Sequence, residues 1–117
     1  WFVRDSIDIE KLKEASSLVL GEHDFTQFSK KNIEIEDKKC FIYSSDWNFL
    51  NDKISYTIIA NRFLHHMVRY LVGVMIEISK SNTLTISDFE LMLNGNQNGQ
   101  LYRAPSKGLF LKRIIYD

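Results

Sequence analysis

One stretch limits the fold more than any other. Between Arg62 and Ser79, apolar side chains recur at three- and four-residue spacing: Leu64, Met67, Val68, Leu71, Val74, Met75 and Ile78. That period belongs to an α-helix, and apolar cover over most of its circumference requires packing on several sides. The spacing predicts a helix over 62–79. Its strongly apolar part, Met67 to Ile78, is interrupted by Arg69 and Glu77. It is too short and too charged to span a bilayer.

A polar seam runs along the same segment. Arg62, His65, His66, Arg69 and Gly73 fall three or four apart, which puts them on one side of a helix. Arg69 then stands mid-helix among apolar neighbours. A buried guanidinium is costly unless an anion meets its charge and donors. No carboxylate lies one turn before or after it. Two readings stand. The seam is the solvated face of an amphipathic helix, or Arg69 meets an anion from elsewhere in the fold, from another chain or from a ligand phosphate. Gly73 costs about 1 kcal/mol of helix propensity. A close approach by another backbone would explain it.

Other elements follow from local signals. Asp8 is a good N-cap, Glu10 sits in the first turn and Gly21 is a stop, so 8–20 reads as an amphipathic helix. Phe25 and Phe28 suggest one further short turn docked on the core. Residues 39–47 and 53–60 read as strands. In the second, Ile54, Tyr56, Ile58 and Ala60 share a face opposite Ser55 and Thr57. The link Asn48 to Asp52 carries turn formers, which predicts an antiparallel hairpin. A second helix is expected over 86–94, starting near Ser87 and ending at Gly95. Asn94 to Gln100 reads as a polar loop and 109–116 as the last strand. The order implies an α+β fold, with helices on one face of an antiparallel or mixed sheet. The other face then needs a partner or a ligand.

Composition narrows the class. The 117 residues suit one domain, and 44% hydrophobic with 13% aromatic residues supply one real core. Net charge is zero but unevenly placed. Residues 1–52 hold seven Lys/Arg and eleven Asp/Glu, whereas 53–117 hold eight and four. The basic second half can meet phosphates, or be ordinary solvated surface. Cys40 is the single cysteine and lies in an apolar run, so a buried thiol in a reducing, cytoplasmic compartment is expected. Trp1 in place of Met reads as an excised piece of a longer protein. His65 and His66 diverge by about 100° on a helix and have no second ligand at four-residue spacing, so no metal site is expected. No nucleophile elbow or phosphate-binding glycine loop is present.

Three motifs carry a resemblance. Asn61-Arg62-Phe63-Leu64-His65-His66-Met67-Val68-Arg69-Tyr70-Leu71-Val72-Gly73 resembles the F-L-H-H-M-V-R-N-I-V-G motif of TruA-type tRNA pseudouridine synthases. Leu20-Gly21-Glu22-His23-Asp24-Phe25-Thr26-Gln27-Phe28 is similar to that family's L-G-x-H-D-F-x-x-F. Ala104-Pro105-Ser106-Lys107-Gly108-Leu109-Phe110-Leu111 resembles its A-P-x-x-G-L-x-L. The three stand in family order and cover nearly the whole chain. Tyr70 replaces the usual asparagine, and Gln100 to Arg103 replaces A-G-x-T.

The resemblance implies an isomerase that converts uridine to pseudouridine at positions 38 to 40 of the tRNA anticodon arm, without cofactor or catalytic metal. Its catalytic aspartate lies in a G-R-T-D-A-G-type motif, which this sequence does not contain. Residues 1–117 therefore match the C-terminal half, inert alone. Arg69 matches the arginine that pairs with the aspartate, and Leu109 the leucine that lies against the target base, with Leu111 as fallback. Family proteins bind tRNA as homodimers across a basic cleft. Arg62, His65, His66, Arg103 and Lys107 are the candidate phosphate contacts. The rival readings are a stand-alone RNA-binding module without catalysis and a purely structural interaction domain.

Overall fold

Asp8 opens the first helix, α1 (Ile9–Leu18), by accepting a hydrogen bond from the Lys11 backbone on its side chain, at 3.2 Å. The expected cap is the observed one, and it satisfies an orphan donor of the first turn. The computed structural model describes residues 7–28, 37–50, 53–64, 66–80, 84–94 and 110–115. The Asp8 backbone N–H also donates to the Ser79 carbonyl at 3.0 Å, which ties the start of α1 to the end of α2 (Met67–Lys80). Leu12, Ala15 and Val19 turn into the core.

Gly21 has φ +92° and begins strand β1 (Gly21–Asp24). Only glycine adopts that conformation without strain. The sequence reading has no strand here. Gly-Glu-His-Asp lacks β-branched residues, and its extended state comes from pairing with β2 (Lys39–Leu50). A 3₁₀ turn, Thr26–Phe28, follows and docks Phe25 and Phe28 into the core as expected. Phe28 meets Phe89 edge to face, 5.8 Å between ring centres.

β2 and β3 (Lys53–Ala60) form the expected antiparallel hairpin. β2 runs three residues beyond the expected end, because Asn48, Phe49 and Leu50 continue the ladder against Ser55, Ile54 and Lys53. A register shift between Ile42 and Ser44 marks a bulge. Cys40, Ile42, Ser45 and Trp47 of β2 are buried, as are Ile54, Tyr56, Ile58 and Ala60 of β3. Phe41 and Tyr43 lie exposed on the opposite face of β2, their rings 5.0 Å apart.

The fourth strand, β4 (Phe110–Ile115), pairs with β3 in parallel, giving a mixed sheet in the order β1-β2-β3-β4. The fold is α+β, as the sequence implies. α3 (Ile86–Leu93) is set by a complete capping box. Thr85 accepts from the Asp88 backbone, and the Asp88 carboxylate accepts from the Thr85 backbone.

The helix expected over 62–79 begins instead at Met67. Residues 61–64 are held by the sheet: the Asn61 side chain accepts from the Phe41 N–H at 2.9 Å, and its own N–H donates to the Phe41 carbonyl at 3.0 Å. His66 then has φ +62°, the one non-glycine residue in the left-handed region among the described residues. That conformation costs about 1–2 kcal/mol. Burying Leu64 returns about 1.5–3 kcal/mol, so the tertiary contacts win over the helical period.

Within the core, Tyr56 is fully buried; its hydroxyl and the Ser45 hydroxyl share a 2.5 Å hydrogen bond, and its ring packs 4.9 Å from that of Trp47. Replacing one partner strands the other, whereas replacing both does not. Ser45→Ala should cost about 1–3 kcal/mol in urea unfolding. Ser45→Ala with Tyr56→Phe should recover much of that loss. Burial also pushes the Tyr56 phenol well above its ordinary value of 10.0, a rise the Ser45 hydrogen bond only partly opposes. The folded state keeps a proton that the unfolded state releases. Its stabilising effect is full below pH 10.0 and is lost as pH rises beyond it. Unfolding titrations above that pH should show up to about 1.4 kcal/mol lost per pH unit from this group, a slope absent in Tyr56→Phe.

Candidate functional site

The connector from β3 into α2 and the first turn of that helix hold Arg62, His66 and Arg69 of the residues expected to act. Arg62 is half-buried. Its Nε donates to the Lys39 carbonyl at 3.0 Å and a terminal nitrogen donates to the Asp37 carbonyl. Two of its donors therefore secure the entry to β2. Arg62 lies before the helix and not on its face, which corrects the expected seam. His66, too, precedes α2, so of the described seam residues only Arg69 and Gly73 share the helix.

Two backbone hydrogen bonds define the start of α2. Met67 N–H donates to the Leu64 carbonyl and Tyr70 N–H to the His66 carbonyl, both at 3.1 Å. The His66 ring stands edge-on to Tyr70, 6.2 Å between centres. Arg69 is the third residue of α2, in its first turn rather than mid-helix, and is half-buried between buried Val68 and Leu71. A cation there opposes the positive end of the helix dipole, at a cost of about 0.3–1 kcal/mol.

His65, Arg103, Lys107 and Leu109 lie outside the described residues. Leu111, the fallback, stands in β4 opposite Tyr56 in the parallel register.

Cys40 is buried as expected, with its sulfur 3.9 Å from that of Met67. Burial pushes its thiol up, against the opposing pull of the Arg62 guanidinium. Among the described residues, no group of three or more His, Cys, Asp or Glu could hold a metal ion. No helix among them is long and apolar enough to cross a membrane. An open pocket of about 170 Å³ lies between β1, Lys39 and the end of α3, lined by Glu22, His23, Asp24, Lys39, Leu93 and Asn94. Both signs of charge meet there. Asp24 is already engaged by the Thr26 backbone and hydroxyl, and the His23 Nε2 by the Leu20 carbonyl.

With this geometry in place, comparison with known proteins decides the family. The sequence pattern of the tRNA pseudouridine synthases matches residues 15–117. The chain belongs to the tRNA pseudouridine synthase family. Similar relatives include tRNA pseudouridine synthase A of Chlorobium chlorochromatii, 36% identical over 94% of this chain and 45% of the relative. That of Bacillus licheniformis is 35% identical over 95% and 45%. That of Staphylococcus aureus is 33% identical over 99% and 43%. The chain thus spans just under half the length of these relatives. In this pseudouridine synthase segment, the Arg62 clamp and the Asn61 pairing are features that residue patterning missed. Only the run of polar residues at 61–62, directly after an apolar strand, signals them.

The clamp makes a testable link between Arg62 and the buried thiol. Arg62→Ala should cost about 1–3 kcal/mol. It should also speed modification of Cys40 by a thiol reagent under native conditions at least several-fold, followed by absorbance.

Proposed function

We propose that the full protein converts uridine to pseudouridine in the tRNA anticodon arm, at positions 38 to 40, and that this chain forms one wall of its active site. The observation that carries this reading is the placement of Arg69, half-buried in the first turn of α2 within the motif that resembles the family's. The family membership and the names of the relatives support the reaction class.

The chemistry then divides between two halves. The portion of the protein outside this chain supplies the aspartate. Arg69 holds that carboxylate in a bidentate pair, which keeps it ionised and oriented. The N-glycosidic bond breaks, the base turns, C5 bonds to the ribose and loses its hydrogen as a proton, and the freed N1 takes up a proton. No net oxidation occurs, so the step calls for no cofactor. Leu109 lies against the base. The remaining donors of Arg62, together with His65, His66, Arg103 and Lys107, meet backbone phosphates, contributing affinity more than sequence preference. The full protein works as a homodimer in the cytoplasm.

The test uses the full-length protein and tRNA tritiated at uridine C5. Lysine keeps the charge of arginine but not its planar fork. Arg69→Lys should lower kcat for tritium release tenfold or more, with tRNA affinity within about threefold. Unchanged turnover in this variant would remove Arg69 from the active site.

A further inference from the structure

A helical period that continued across residues 62–79 would place Arg69 mid-helix, yet the chain begins α2 only at Met67. The break coincides with His66, whose φ of +62° is incompatible with a continuing right-handed helix. Its carbonyl accepts from Tyr70 N–H, while the Leu64 carbonyl accepts from Met67 N–H. The Leu64–Met67 bond closes a turn just before the helix, and the His66–Tyr70 bond is the helix's own first rung. Behind the break, Arg62 can reach the Asp37 and Lys39 carbonyls. Beyond it, burial of Met67, Val68, Leu71 and Val72 fixes the rotation of the helix and so the bearing of Arg69.

We propose that His66 is a positioning residue whose left-handed backbone, not its ring, places Arg69 in the first turn of α2. The inference rests on the reading of Arg69 as the partner of the catalytic carboxylate. A residue at this position has to tolerate positive φ. Glycine does so freely, asparagine and histidine moderately, alanine and serine poorly.

Two substitutions in the full-length protein separate backbone from ring, because both remove the imidazole. His66→Gly keeps the conformation accessible and His66→Ala penalises it. With both variants folded at the assay temperature, kcat for tritium release should be at least tenfold higher for His66→Gly than for His66→Ala. Their KM values for tRNA should agree within about threefold. Equal kcat in the two variants overturns the inference. So does a pair that loses affinity alike at undiminished kcat, which assigns the ring to a phosphate. Should His66→Ala fail to fold, His66→Asn against His66→Ser makes the same comparison with the same expected order. Arg69→Lys, assayed alongside, keeps the two readings apart. Full turnover in that variant removes the role of Arg69 itself. Impaired turnover there with equal His66 variants removes only the positioning role.

Discussion

Everything near the candidate site depends on how the chain leaves β3. Asn61 extends the ladder by pairing with Phe41 in both directions, and the Arg62 side chain reaches back to the carbonyls of Asp37 and Lys39. These bonds fasten the exit of one strand to the entry of another. They hold Leu64 over the core, so the helix cannot begin until the chain has turned at His66. The left-handed residue is thus a product of competition. A few well-placed hydrogen bonds and one buried leucine outweigh the helix propensity of the residues they interrupt.

The same fastening shapes the electrostatics. Two arginines of one motif end in opposite roles. Arg62 meets backbone carbonyls and tempers the buried Cys40 thiol. Arg69 stands at the positive end of a helix, where its charge is locally unfavourable.

Much of this was legible in the residues. Asp8 as a cap, the Phe25–Phe28 turn, the alternating face of β3 and the apolar mass of α2 all follow from local periodicity, and the fold class follows from their order. Three things did not. β1 has no strand propensity of its own and exists through its partner. The hairpin runs past Asn48, since a turn-forming residue can also sit in a ladder. The helix starts at Met67, five residues after the start the spacing predicts, because apolar spacing cannot register a guanidinium that prefers distant carbonyls to its own turn. At the candidate site, the motif singles out Arg69, but spacing does not show its place in the first turn of α2.

The parallel pairing of β3 with β4 has a consequence for assembly. The pairs β1–β2 and β2–β3 join strands consecutive in the chain, but β3–β4 partners such as Ser55 and Phe110 are separated by both α2 and α3. Closing so long a loop is entropically slow, and it delays the last strand relative to local contacts. On a ribosome, β3 therefore waits with one edge open until both helices have emerged. During synthesis, the exposed edge, rather than the finished fold, is where this domain is most open to pairing with a wrong strand.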